Sequence, residues 1–304
     1  MSARGVAIVT VTHDSRTELE RFLGTVEEHM PHAQVVVVDC ASSDDSAGAA
    51  RAWAGGRATV LEPGANLGYG RGINLGLGAV DQPVTVVANP DLELLDDSLA
   101  RMAAEATLPP ERILAPRVLN NDDTLQDSAH PAPVSAATVL GALVPPAALP
   151  RSLRPALEPW RGRRPRLVAW AVGCCLVART ETLRRLGPFD PRIFLYAEDT
   201  ELGLRASEHG VQTWFCPDTC VRHHQAHASL TAFGGEHFEL LARQRRAVVQ
   251  ERLGGARRRV DDWLQLLTFA DRIALKALLR RPRVRERAQL EALWRARRRP
   301  PRLS

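Results

Sequence analysis

At 304 residues the chain can bury a full core as one large domain or two smaller ones, and its apolar content of 45% is ordinary for a globular protein. Its best apolar run, residues 134–144, is about half the length of a membrane span and ends in Pro145-Pro146; five cysteines, two of them adjacent, do not read as a disulfide framework. The net charge of +5 is divided: from Arg243 onward 19 basic residues face 6 acidic ones, giving +13, and the preceding 242 residues sum to −8, an acidic body with a basic arm.

The start of the chain runs into an apolar strand at residues 6–11 without a signal core, which points to the cytoplasm. That run does not alternate, the pattern of a strand buried on both faces. Ser15-x-x-Glu18 reads as a capping box before a helix bearing Leu19, Phe22, Leu23 and Val26. Strands follow at residues 34–39, 59–61 and 83–88, with helices around Trp53 and around Ile73, Leu77 and Val80. A helix over 98–106 and a strand over 113–118 continue the rhythm. The β-α-β-α order predicts a mainly parallel sheet flanked by helices, with ligands at the carboxyl ends of the strands. Eight prolines between 130 and 165 predict a long irregular insertion acting as an active-site flap. Order resumes with a strand over 168–177, a helix over 181–186, a strand over 211–215 and an extended piece over 220–224. From about residue 236 the pattern is helical, broken at Gly254-Gly255 and Pro282.

The stretch 186–205, LGPFDPRIFLYAEDTELGLR, concentrates the chemistry. A Gly-Pro turn leads to Phe189, Phe194 and Tyr196, then to Glu198 and Asp199 at the start of an amphipathic helix, with Asp199 at the N-cap position. Taken alone, an acidic pair there would serve the helix dipole. Other polar turns stand at strand ends, however. Asp39, with Ser42 nearby, suits hydrogen bonding to a nucleobase or ribose. Asn66, Gly68 and Asn74 belong to a glycine-rich turn that would let backbone approach a diphosphate. No G-x-G-x-x-G follows the first strand, which argues against a nicotinamide dehydrogenase. Asp91, after a buried strand and Pro90, suits a hard divalent cation, and His223 or His224 would add a nitrogen ligand that Mn²⁺ accepts. A rival is structural zinc at Cys216-x3-Cys220 with His223, His224 or His227.

Together these residues resemble family 2 glycosyltransferases of the GT-A fold, in particular the bacterial rhamnosyltransferase-like branch. The match runs through Thr10–His13, residues 38–46, Asn66–Gly70 with Asn74, Asn89-Pro90-Asp91, Trp170 with Gly173, and the whole stretch 186–205. It implies an α/β GT-A domain over 1–240, including the insertion, and a helical arginine-rich extension over 241–304. It also implies a nucleotide-sugar pocket formed by Thr10, His13, Asp39, Ser42, Asn66, Gly68, Asn74 and Asn89. Asp91 stands for the last acid of the D-x-D motif and holds Mg²⁺ or Mn²⁺ with His223, or with His224 one residue on. Asp199 is the implied general base, with Glu198 beside it in the acceptor site, and an inverting displacement follows. Cys40 replaces a usual Asn and Asn89 replaces the first acid of D-x-D. A carboxylate beside another and partly covered by Phe194 and Tyr196 should have a raised pKa.

The donor the resemblance favours is dTDP-L-rhamnose, and the acceptor a glycan, a lipid-linked sugar of the cell envelope or a natural product. Alternatives are a UDP-hexose donor, a non-catalytic nucleotide-sugar or glycan-binding protein of the same fold, and a zinc-stabilised nucleic-acid-binding protein. Arginine clusters at 257–259, 280–281 and 297–299 among Trp263, Leu264, Leu267, Ile273, Leu278 and Trp294 read either as a solvated face or as an arm docking on anionic lipid at the inner membrane surface. No nucleic-acid-binding motif accompanies the charge.

Overall fold

The computed structural model describes residues 5–224 and 238–303. The apolar runs become β1 (Val6–Thr12), β2 (Gln34–Asp39), β3 (Ala58–Leu61) and β4 (Val84–Ala88), side by side and parallel in the order β3-β2-β1-β4. Their lack of alternation has the expected cause, since both faces are covered. Ile8, Val35 and Val37 pack with Leu19 and Phe22 of α1 (Arg16–His29). On the other face Val9, Val36 and Val38 pack with Ile73 and Leu77 of α3 (Tyr69–Leu77). α3 lies so close to the sheet that a Cβ on Gly76 would fall 2.5 Å from Val9, so glycine is what permits the approach.

α2 (Ser46–Ala52) links β2 to β3. The chain continues through β5 (Leu92–Leu94), α4 (Ser98–Glu105), β6 (Arg112–Leu119), β7 (Ala129–His130), α5 (Ala136–Leu143), β8 (Arg166–Val168), β9 (Trp170–Ala171) and β10 (Cys175–Arg179). Then come α6 (Thr180–Leu186), α7 (Glu198–Glu208), β11 (Gln212–His223), α8 (Phe238–Leu278) and α9 (Val284–Arg297). The sheet extends from β4 through β10, β6 and β11 to β5, with β8 also on β11; β10 joins antiparallel and β6 and β11 pair in parallel. This is an α/β architecture whose parallel half carries the carboxyl-end turns.

Several local expectations change. Ser15 starts α1, but its hydroxyl donates to the His13 carbonyl, its N–H is taken by the Ser46 hydroxyl at 3.3 Å rather than by Glu18, and Asp44 from the same loop accepts from the Arg16 N–H at 2.8 Å. The expected strand over 168–177 is three short strands, and the pieces at 211–215 and 220–224 are one strand, β11, with a register shift between Cys216 and Cys220. The proline-rich segment 130–165 is not structureless. It holds α5, whose N-cap Ser135 accepts from the Thr138 N–H, and three 3-10 turns, and its flanks are tied by β7 pairing with β9. Pro282 does separate two helices, and Gly254, at φ +85°, breaks α8.

The turn 186–188 is held to α7 by Arg205. Its Nε and Nη2 donate to the two oxygens of Glu201 at 2.8 Å each, and the same guanidinium donates to the carbonyls of Leu186 and Pro188. Arg252 of α8 reaches the same Glu201 and also Glu208 at 3.0 Å. Breaking a buried ion pair strands the remaining charge. Arg205→Met is therefore expected to lower stability by about 3–5 kcal/mol in urea unfolding; a loss below about 1 kcal/mol would fit only a pair that water reaches.

Candidate active site

A cavity of about 840 Å³ opens at the carboxyl ends of β1 and β4, between the sheet, the loop before α7 and the helices α5, α8 and α9. Its walls include His13, Asn66, Gly68, Asn89, Asp91, Glu198, Asp199 and His223. Residues far apart in sequence, from the first strand to the last, thus meet in one space.

Asp91 follows β4, and His223 ends β11. His223 Nε2 lies 3.1 Å from Asp91 Oδ1 and 3.2 Å from the Asn89 amide nitrogen. On the other side of the ring, Nδ1 lies 3.0 Å from Gln126 Oε1, which can only accept. With the proton on Nδ1, the Nε2 lone pair accepts from the Asn89 amide and lies beside Asp91 Oδ1, an oxygen that also only accepts, so the pair is complementary to a cation placed between them. An imidazole nitrogen and a carboxylate in this arrangement fit Mn²⁺ or Mg²⁺, and the nitrogen favours Mn²⁺. Among the described residues no three His, Cys, Asp or Glu side chains form a complete ligand shell, so such an ion would take its remaining ligands from a bound diphosphate and water.

The one-residue ambiguity at the end of β11 is resolved geometrically. The His224 imidazole turns to Glu93, with Nε2 2.8 Å from Oε2 and outside the cavity, and only its backbone N–H meets Asp91, donating to the carbonyl at 2.9 Å. With His223 and His224 turned to these two acids, neither joins Cys216 and Cys220, and the zinc arrangement proposed for them fails; His227 lies outside the described residues.

Glu198 and Asp199 open α7, but Asp199 is not the N-cap. That position is Ala197, and Tyr196 and Ala197 both adopt left-handed backbone at φ +68°. Two consecutive non-glycine residues in this region store strain. At Gly68 (φ +77°) an added Cβ would sit 2.3 Å from the Phe194 carbonyl oxygen. Gly68 thus admits the backbone of the loop before α7, where a diphosphate was expected. Asp199 is fixed by the Gly173 N–H, which donates to Oδ2 at 3.3 Å, and the Thr200 N–H, which donates to Oδ1 at 2.6 Å. Tyr69 donates to the carbonyl of the same Gly173 at 2.6 Å and packs edge-on to buried Phe189. Glu198 is buried, and its Oε2 has no hydrogen-bond partner. Burial raises both carboxyls above the usual carboxylate range, and the neighbouring Asp199 charge raises Glu198 further.

The remaining nucleotide-pocket candidates divide. His13 is oriented by Nδ1 against the Cys40 carbonyl at 2.8 Å, and Asn66 accepts from the Gly68 N–H at 2.9 Å; both face the cavity. Thr10 is fully buried within β1 and does not line the cavity. Asp39 sits at the end of β2, with Oδ1 accepting from the Ser42 N–H and Oδ2 buried without a partner. The Ser42 hydroxyl accepts from the Asp14 N–H. Asn74 faces away from the pocket: its amide donates to the Phe189 carbonyl and accepts from the Phe189 N–H, so it positions the loop and contacts no ligand space.

Sequence reasoning missed Gln126 and the helical wall. Gln126 lies in a loop without a motif, and only its place behind His223 reveals it. Arg245, Leu264, Phe269 and Arg272 of α8 and Arg285 and Leu293 of α9 line the cavity, so the basic tail is also part of the site. Beside them His130 stacks on Trp170 (4.0 Å) near Trp160, and burial pushes its pKa down to about 3, so the ring is neutral.

The model of the family described as glycosyl transferase family 2 matches residues 7–160. The chain is 29% identical over 239 residues to the N-acetylglucosaminyl-diphospho-decaprenol L-rhamnosyltransferase of Mycobacterium tuberculosis, covering 73% of this chain and 76% of that one. It is 23% identical over 225 residues to a low-salt glycan biosynthesis hexosyltransferase of Haloferax volcanii, covering 72% and 67%. Among solved structures it superposes on a mannosyltransferase from Pyrobaculum calidifontis in complex with GDP-Man and Mn²⁺, with a TM-score of 0.62 at 16% identity over 97% of this chain and 87% of that one. The fold is therefore GT-A.

Glu198 gives a direct test of the site's electrostatics. A carboxyl whose folded pKa is raised contributes stability that is complete below its unfolded value, about 4.3, and is lost as pH rises through the folded value. Glu198→Gln is expected to match the parent's melting temperature near pH 4 and to exceed it increasingly toward pH 8. Melting temperatures that stay equal over this range would mean that Glu198 is not held neutral.

Proposed function

The chain belongs to glycosyl transferase family 2, and from that premise we propose that it moves a sugar from a nucleotide-diphosphate donor to a hydroxyl of a lipid-linked glycan, with inversion at the anomeric carbon. The observation that carries this reading is the meeting of the Asp91–His223 pair and the Glu198–Asp199 pair in one cavity. The first suits a leaving diphosphate and the second suits an attacking hydroxyl. The Mycobacterium relative supports L-rhamnose as the sugar and a prenyl-diphosphate-linked N-acetylglucosamine as the acceptor class; dTDP-L-rhamnose is the donor that the sequence resemblance favours.

Each residue's part follows from its surroundings. His13, Asn66 and Asn89 line the donor side, and Asp39, which does not line the cavity, keeps a buried unmet acceptor, Oδ2, at the end of β2 that would reach a base N–H or ribose hydroxyl only if the strand-end turn opened. Asp91 and His223 would hold the divalent ion, and when bound it neutralises charge on the leaving diphosphate. Asp199, held by two backbone N–H groups, takes the acceptor proton as the hydroxyl oxygen attacks the anomeric carbon. The new glycosidic C–O bond forms as the bond to the diphosphate breaks on the opposite face, with the electron pair leaving on the diphosphate oxygen. Neutral Glu198 donates from its otherwise unpartnered oxygen to an acceptor hydroxyl. The wall made by Arg245, Arg272 and Arg285 with Phe269 and Leu293 suits an acceptor that joins phosphate to hydrocarbon.

Transfer of labelled rhamnose from dTDP-L-rhamnose to a short-chain prenyl-diphospho-N-acetylglucosamine tests the reading. The expected product carries the opposite anomeric configuration by NMR, and Asp199→Asn lowers kcat by roughly 10²–10⁴ while the donor still binds. Retained configuration, or a variant within a few-fold of the parent, would exclude Asp199 as the base of an inverting transfer.

A further inference from the structure

α8 has two working faces. Leu264, Thr268, Phe269 and Arg272 look into the cavity. On its outer side Val260, Trp263, Leu267, Ala270, Ala274 and Leu278 are all exposed, at spacings of three and four residues, so they form one stripe along the helix. Trp263 is 60% exposed and Leu278 is 80% exposed. At 1.5 Å per residue the stripe runs about 27 Å. Across the hairpin, Val284 at the start of α9 is 79% exposed and Trp294 is 51% exposed. Arg297 lies over both indole rings, 4.3 Å from Trp263 and 5.4 Å from Trp294, and fixes them side by side at the surface. An apolar groove between the helices is lined by Leu266, Leu290, Arg295 and Arg298 with these tryptophans.

A solvated helix face has no reason to hold this pattern, because a globular surface seldom presents a continuous apolar strip of this length. The rim decides what covers it. Arg259, Arg280, Arg281, Arg287 and Arg298 are exposed around the stripe, and none of them forms an ion pair with another described residue. Of the hairpin's acids beside the stripe, Asp261 and Asp262 are buried against Arg245 and Arg246, Glu286 holds Lys276, and Asp271 lines the cavity on the other side of α8. Glu291, beside Arg295, is the one acid along the groove. Tryptophan and leucine on one strip with unpaired arginines beside it is the composition of a helix lying in the interface of an anionic bilayer. Nucleic acid would meet the charge and leave the apolar strip in water.

We propose that the outer stripe of α8, with the α8–α9 turn, lies flat on an anionic lipid surface. It deepens the lipid-linked acceptor reading given above, because the cavity wall and the stripe are opposite sides of one helix, about 10 Å thick with its side chains. A sugar carried on a lipid headgroup would then be separated from the cavity by no more than this helix. No helix among the described residues is long and apolar enough to cross a membrane, so the attachment is to its surface.

The test is sedimentation of the full chain with phosphatidylcholine vesicles, with and without phosphatidylglycerol, in the absence of donor and acceptor. Binding to the anionic vesicles only, weakened by salt, is expected. Leu267→Glu with Leu278→Glu, and separately Arg280→Glu with Arg281→Glu, should each weaken it by roughly tenfold or more, with melting temperature and nucleotide-sugar binding unchanged. No binding by the parent, or equal binding by the leucine variant, would overturn the proposal. A concentration-dependent dimer abolished by the leucine variant, without vesicle binding, would assign the stripe to a second copy and also overturn it. Vesicle binding by a protein that binds no nucleotide sugar would sink the transferase reading and leave the stripe standing.

Discussion

The site depends on one buried carboxylate. Glu201 sits on the inner side of α7, one turn after Glu198, and is met by Arg205 from its own helix and Arg252 from α8. Because Arg205 also reaches the carbonyls of Leu186 and Pro188, the guanidinium fixes both ends of the loop that carries Phe189, Phe194 and Tyr196. A buried ion pair contributes little net stability compared with apolar packing, but it tolerates few alternative geometries. That property suits a loop that must hold two left-handed residues immediately before a pair of carboxyls. The same Glu201 ties the C-terminal helices to the sheet domain, so the cavity's two walls share an anchor.

Much of this was legible in the sequence, and the reasons are specific. Strands buried on both faces cannot alternate, so residues 6–11 and 34–39 declared themselves. Asp91 was readable because it follows a buried strand, and the end of β11 because it carries two histidines, between which the sequence did not choose; strand ends converge in a sheet of this kind. Glu198 and Asp199 stood out as acids following an aromatic run. What failed was local hydrogen bonding set by tertiary neighbours. Ser46 and Asp44 displaced the Ser15 capping box, Ala197 took the N-cap expected of Asp199, and Phe189 claimed the side chain of Asn74. Gln126 gave no signal, because what it does depends wholly on a histidine 97 residues away.

The C-terminal helices change the picture most. Composition showed a basic arm, and charge counting alone cannot tell a solvated face from a wall. In the fold many of those arginines are internal: Arg245, Arg246, Arg252 and Arg258 hold buried or half-buried acids. Those left over rim either the cavity or the outer stripe of α8. On the proposed reading, a transferase that takes a water-soluble donor and a lipid-borne acceptor needs a polar pocket at strand ends and a path to the bilayer, and these two sets of residues would serve them.

The central claim is that the cavity takes a nucleotide-diphosphate sugar with the help of a divalent ion held at Asp91 and His223. Calorimetric titration of a panel of nucleotide sugars, with and without Mn²⁺, on the parent protein and on Asp91→Ala measures it most directly. The account predicts that one donor binds, that Mn²⁺ strengthens the binding, and that Asp91→Ala removes the metal's contribution. Binding that is indifferent to Mn²⁺ and to Asp91, or no binding across the panel by a folded protein, would contradict it.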